Sequence, residues 1–361
     1  MNINSLLKKE GIENIQKMKP KEINAIAKDI AIKLCLAFPE HNLNRQILFD
    51  EISGINMFRA TMKFDSSGAK YVSATNSIFF NKELEFESLP EVAMHECIHF
   101  LQTNHSKQQM GLYNFSSGLA LNEASVQLMA SYANMCNFSQ EKLYGINLKT
   151  NSPTYYPLEC AIVNQMAYFT GYYPLYTSTL NSNDIFKNTF ISKFNKKIYN
   201  YISRNLDKLL NMENDLHYYT SELSVSTKES HIRSLNNIIL AQKNDIMALF
   251  FKIQNYIIKN CFCIEFGNAT NLALLYNFKK QLYKFKDVIG YTENYTFYND
   301  FYCDMMNIVA QKKKEIAKSA TNEIKQTSLI VVDKRKPSLV FMFKAVNKIK
   351  KLIGINVVEK I

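Results

Sequence analysis

Apolar residues recur at three- and four-residue intervals along most of this chain, and that spacing predicts a mainly helical protein. In the first 50 residues Ile23, Ile26, Ala27, Ile30, Ile32 and Leu34 fall near helical spacing and predict short amphipathic helices. Residues 57–81 break the pattern. There MFRATMKF and AKYVSATNSIFFN flank the turn-former DSSG, which predicts a hairpin or two adjacent strands. Ser88-Leu-Pro-Glu91 then offers a capping hydroxyl, a first-turn proline and a glutamate that can reach back, so a helix is expected over about 89–103. Further helices are expected over about 118–135 and 157–169. The long Lys/Asn-rich stretch 186–326, rich in Tyr and Phe, is helical in pattern. The fold class read from these elements is α+β, mostly helical. Four parts follow: an N-terminal helical segment (1–50), a domain with a small sheet (51–185), a helical subdomain (186–326) and a basic amphipathic tail (327–361).

Composition narrows the class. Hydrophobic residues make up 47% and charged residues 21%, which is ordinary for a globular chain and argues against wholesale disorder. Ten Gly and seven Pro among 361 residues are too few for many short strands and turns. The seven cysteines are scattered, odd in number and form no CxxC pair, so free thiols in a reducing compartment are expected. The first residues carry no apolar signal region, and no uncharged apolar run approaches about 18 residues. The expected location is cytoplasmic, with export by a route that needs no signal peptide left open.

The sharpest chemical feature is His95-Glu96-Cys97-Ile98-His99. Residues four apart share a helix face, so His95 and His99 can present imidazole nitrogens to one metal ion. Glu96, one residue round, can bond a water on that metal without becoming a ligand. Cys97 lies roughly 160–200° around the helix from each histidine and is expected to pack behind it as a small apolar residue. Three of the six histidines fall within 95–105. A catalytic zinc needs a third protein ligand and an open position. Two candidates exist: Glu123, 24 residues past His99 on the next expected helix, and His105, six residues past it.

HECIH followed by Leu121-Asn122-Glu123-Ala-Ser resembles the gluzincin branch of the zincin metallopeptidases, in which HExxH is followed on a later helix by a glutamate ligand, often within Asn-Glu. The resemblance covers roughly residues 60–170. It implies a zincin-like catalytic domain, zinc held by His95, His99 and Glu123, Glu96 as general base, and a peptide or protein substrate. The run HECIHFLQTNH also resembles the metzincin pattern HExxHxxGxxH, with His105 as third ligand. Gln102 stands where that pattern has glycine, and glutamine is poor at the positive φ the turn needs. Glu123 is therefore favoured over His105. Tyr155, Tyr156, Tyr168, Tyr172 and Tyr173 are candidate hydrogen-bond donors to a developing oxyanion. Asn122, Gln127 and Glu159 are candidates to support the ligands. The strand around residues 71–80 offers an edge for an extended peptide. Cys261 and Cys263 form a CxC with no histidine nearby, a weak metal signal.

Charge changes the picture last. The net charge is +11, yet residues 306–361 alone hold twelve Lys and Arg335 against four acids, a net +9. Lys344, Lys348 and Lys351 share one helical face, with Met342, Ala345, Val346, Ile349, Leu352 and Ile353 on the other. Residues 338–356 thus suit a peripheral contact with an anionic membrane or a partner groove, or docking onto their own domain. Only 5 of the 43 basic residues are Arg and no nucleic-acid module is visible, so nucleic acid is not an expected partner. The expected function is zinc-dependent peptide hydrolysis. The alternatives are a zincin fold that has lost catalysis and serves as a binding or scaffold protein, and a membrane-surface protein acting through its tail.

Overall fold

The computed structural model describes residues 3–63, 68–85, 89–106, 108–153, 155–289 and 296–329. Helix Ile3–Lys9 (α1) leads into strand Ile12–Lys17 (β1), which pairs antiparallel with Asn56–Met62 (β2). Between them lie helices Pro20–Ala37 (α2) and Arg45–Ser53 (α3). Strands Ala69–Val72 (β3) and Ser77–Asn81 (β4) complete a four-stranded sheet of order β1-β2-β4-β3. In it β4 runs parallel to β2 and antiparallel to β3.

The sequence of β4, SIFFN, explains its central place. Ile78, Phe79 and Phe80 are all almost completely buried, as a strand covered on both faces requires. Ile78 and Phe80 join the main core, and Phe79 packs with Leu7, Ile12, Ala60 and Val72 on the opposite face. The expected pairing is corrected here. The strands flanking DSSG are not each other's neighbours, because β4 lies between β2 and β3. The run AKYVSATNSIFFN is broken at Ser73–Thr75, and Asn76 at φ 47° turns the chain back. Asn tolerates that left-handed conformation, so the hairpin forms inside the run. The first 50 residues also hold more than helix. Strand β1 escapes the pattern because only its first residues are buried, leaving no alternation to read.

Helix Leu89–His105 (α4) packs on β3 and β4. Its Ala93, Met94, Cys97, Ile98 and Leu101 are fully buried, and Cys97 joins the core as expected. Ser88 and the side chains of 89–91, the expected cap, lie outside the described residues. Helix Leu119–Ala133 (α5) is buried nearly all round, from Ala120 to Ala133. A helix buried on nearly every face belongs in the middle of a core, and the small residues Ala124, Ser125, Ala130 and Ser131 allow neighbours close approach.

Strands Ser139–Leu143 (β5) and Ile146–Thr150 (β6) form a hairpin that the sequence reading lacks. Tyr144 and Gly145 both take positive φ, 51° and 86°, as a two-residue type I′ turn requires. Tyrosine in place of Asn or Asp conceals the turn. Helices Pro157–Thr170 (α6), Tyr172–Asn181 (α7), Ile185–Phe194 (α8), Lys196–Val225 (α9), Glu229–Asn268 (α10), Leu272–Val288 (α11) and Thr296–Leu329 (α12) follow. The hydrophobic core is continuous across the expected boundary at 185. Phe169 of α6 packs edge-on against Phe194 of α8 and Phe262 of α10. No helix among the described residues is long and apolar enough to cross a membrane. Residues 338–356, with the rest of the tail from 330, lie outside the described residues.

One long-range contact sets the start of α5. Asp207 of α9 accepts from Gly118 N at 2.8 Å and Ala120 N at 3.0 Å, a cap supplied from another helix. It satisfies amide donors that the helix leaves open and places a negative charge at the positive end of the helix dipole. Asp207→Ala is expected to lower unfolding stability by about 1–2 kcal/mol, the upper range for loss of a cap, with Asp207→Asn closer to wild type. Urea denaturation monitored by circular dichroism measures the difference.

Candidate metal centre

The centre is built from two adjacent helices. α4 carries His95 and His99 one turn apart, and α5, packed against it, carries Glu123. His95 Nε2 and His99 Nε2 are 3.0 Å apart, and Glu123 Oε2 is 3.3 Å from each. All ligand atoms of the three residues lie within 4.8 Å of one another. Both histidines are buried, each about 6% exposed. The Nδ1 of His95 is 2.9 Å from Gln127 Oε1, and the Nδ1 of His99 is 3.1 Å from Gln102 Oε1. An amide oxygen accepts, so each Nδ1 carries a proton and each Nε2 is turned toward Glu123.

Two imidazole nitrogens and a carboxylate oxygen converging at these distances call for positive charge between them, a metal ion or, without one, a proton. Ligands about 2.0–2.1 Å from a tetrahedral zinc stand roughly 3.3 Å from one another, so the spacing fits such an ion. The charge balance of the metal-free chain says the same. Burial alone would drive the His99 proton off, but the charge and hydrogen bond of Glu123 outweigh it and raise its pKa to about 9. Burial likewise favours the neutral acid at Glu123, yet the two imidazoles hold its carboxyl well below the usual carboxylate range. The site is arranged for positive charge.

Glu96 stands beside these groups, and its Oε2 accepts from Tyr71 N of β3 at 2.6 Å. Burial pushes its pKa up, opposed by the two histidines and the Tyr71 amide. Tyr71 is anchored in turn, since its hydroxyl meets Thr103 Oγ1 of α4 at 2.7 Å and donates to Asn76 Oδ1 at 3.0 Å. A cavity of about 270 Å³ opens over the group, bounded by β3, by Met110 and by Tyr155 and Tyr156. The ring centroids of Tyr155 and Tyr156 lie 6.1 and 6.0 Å from that of His95. Tyr156 takes φ 51° to start α6, and Tyr155 Oη accepts from Gly68 N at 2.9 Å.

No protein-family model, curated protein or solved structure matches this chain. The site's meaning therefore rests on its own chemistry.

The other sequence candidates separate clearly. Gln127 touches His95, and Asn122 reaches His99 through Gln102. Tyr168 donates to Gln281 O at 2.7 Å, Tyr172 bonds Asn164, and Tyr173 stacks on His41, all away from the cavity. On α10 Cys261 is buried and Cys263 exposed. The α4 backbone continues as helix through Gln102 to His105, whose side chain lies outside the described residues. Six residues of unbroken helix put the His105 backbone about 9 Å along the axis from His99, without the turn a third histidine ligand needs. Gln102 and the Tyr71 amide are the participants that the sequence reading missed. Gln102 lies three residues beyond His99 on the same face, a spacing that would have revealed it.

Glu159 is not at the centre. It is fully buried between α6 and α9, where its carboxyl meets that of Glu213 beside Tyr144. Both Glu159 oxygens are buried without a hydrogen-bond partner, a setting that favours the neutral acid. Burial, then the Glu213 charge, pushes the Glu159 pKa well up. A carboxyl raised in the folded state binds more protons folded than unfolded. Its stabilising effect is complete below its unfolded pKa, near 4.5, and is lost as pH rises through the folded value. Glu159→Gln should therefore gain in melting temperature over wild type as pH rises from 5 to 8. Thermal melts across that range test it, and a constant difference would refute the raised Glu159 pKa.

Proposed function

We propose that this protein is a zinc-dependent metallopeptidase of the gluzincin type, with zinc held by His95, His99 and Glu123. The observation that carries the reading is the convergence of His95 Nε2, His99 Nε2 and Glu123 Oε2 at 3.0–3.3 Å, with Glu96 beside them. Two imidazoles and one carboxylate are a catalytic zinc donor set, and three protein ligands leave a position open. A small sheet with an antiparallel edge strand next to the HExxH helix, followed by a helix bearing the glutamate, agrees with a zincin-like domain.

Zinc held by His95, His99 and Glu123 would supply Lewis acidity, lowering the pKa of a bound water and polarising the scissile carbonyl. The chain's own residues do the rest. Glu96, oriented by the Tyr71 amide, takes the water's proton and passes it to the leaving amine. Gln127 and Gln102 hold the imidazoles with Nε2 toward the metal. Strand β3 is the sheet edge that an extended peptide would join, and it borders the cavity. Tyr155 and Tyr156 border that cavity and are the candidate donors to the carbonyl oxygen.

The test is hydrolysis of a broad peptide library by the full-length protein. Cleavage abolished by a chelator and restored by zinc is expected. Stoichiometric zinc binding without cleavage of any peptide would instead support the scaffold alternative.

A further inference from the structure

A backbone amide in the loop between α4 and α5 dictates the orientation of a buried amide pair behind the metal centre. Leu112 N donates to Asn122 Oδ1 at 3.0 Å. A main-chain N–H is only ever a donor, so the Asn122 oxygen must face the loop. Its Nδ2 then donates to Gln102 Oε1 at 3.3 Å, and Gln102 Nε2 returns a bond to Asn122 Oδ1 at 3.1 Å. The pair is reciprocal, and neither amide can flip without breaking both bonds and losing Leu112. Gln102 Oε1, so fixed, faces His99 Nδ1 at 3.1 Å.

We propose that Gln102 is a positioning residue for the metal: it holds His99 with Nδ1 protonated and Nε2 open, and takes its own orientation from the Leu112 amide through Asn122. The proposal rests on the metal-centre reading above. Three further observations carry it. Gln102 and Asn122 are fully buried, so water cannot replace either partner. Gly111, at φ +56°, lies so close that a Cβ would stand 2.1 Å from Asn122 Oδ1 and 2.2 Å from Gln102 Nε2. Ser182 binds the same loop to α4, its Oγ accepting from Gly111 N at 2.8 Å and donating to Gln102 O at 2.9 Å. The chain behind His95 differs. Gln127 Nε2 donates to Ser131 Oγ, which meets Ser152 Oγ, and hydroxyls can reverse direction. Two hydroxyls rather than a backbone amide follow Gln127 on that side, so Gln102 is the sharper test.

The experiment uses the full-length protein with zinc(II) as the probe, its affinity read by competition with a chromophoric chelator. Gln102→Leu is expected to weaken zinc binding about 10–100-fold, the usual effect of losing a partner of a ligating histidine. Gln102→Glu, which keeps an acceptor for His99 Nδ1 but loses the donor to Asn122 Oδ1, should restore part of it. Gly111→Ala, which alters no group touching either histidine, should weaken binding in the same direction. Long-range ¹H–¹⁵N spectra of zinc-loaded wild type provide an arm without mutation, and should show His99 protonated at Nδ1 and metal-bound through Nε2. A folded Gln102→Leu that binds zinc as wild type does, or a His99 bound through Nδ1, would overturn the proposal. Wild type that takes up no zinc would overturn the metal-centre reading itself, a separate result.

Discussion

Glu123→Ala is expected to cost the protein its metal. Wild type purified with zinc should carry one ion per chain, and the variant should bind it more than about 100-fold more weakly, since residues that merely support a ligand already contribute 10–100-fold. The reason is geometric and electrostatic together. Glu123 Oε2 faces both imidazole Nε2 atoms, at 3.3 Å from each. Removing it leaves two imidazole nitrogens 3.0 Å apart without the carboxylate that bridges them. His95→Ala should do the same. His105→Ala should not, because helix α4 runs straight through that position. Elemental analysis after dialysis measures all four proteins. Zinc lost in His105→Ala and kept in Glu123→Ala would reverse the ligand assignment in favour of the metzincin pattern.

Glu96→Gln should separate chemistry from metal binding. Its carboxylate is not among the three converging ligands, and its contact is with the Tyr71 amide. A glutamine keeps an acceptor for that amide, so the backbone around the site has no reason to move. What disappears is the base. Hydrolysis should fall by about 10²–10⁴-fold while zinc content stays stoichiometric. Loss of zinc together with activity would show Glu96 to be a ligand and would sink its role as base. Activity left intact would remove it from the mechanism altogether.

The parts of this molecule that were readable in the sequence are those whose chemistry is local. HECIH declares itself because helix geometry alone puts two histidines on one face. Helices α4, α5 and α6 stand within a few residues of their expected bounds, since their apolar spacing is strong and Pro90, Gly118 and Pro157 punctuate them. Glu123 was reachable because it opens the next apolar helix after the motif.

What stayed hidden depends on partners distant in sequence. The order β2-β4-β3 follows from burying SIFFN on both faces, which no local pattern states. The β5–β6 hairpin hides behind Tyr144 in a left-handed turn. Gln102 looked like a departure from a glycine, yet its side chain joins His99 to Asn122 and the Leu112 loop. Asp207 caps α5 from 87 residues away. Glu159, a sequence candidate to support the ligands, lies beside Glu213 instead because α9 packs there.

The most direct measurement is anomalous diffraction at the zinc absorption edge from crystals of the full-length protein grown with zinc. The account predicts one strong peak about 2.0–2.2 Å from His95 Nε2, His99 Nε2 and a Glu123 carboxylate oxygen, with Glu96 outside ligand distance. No peak at that point, or a peak with Glu123 turned away, would contradict it.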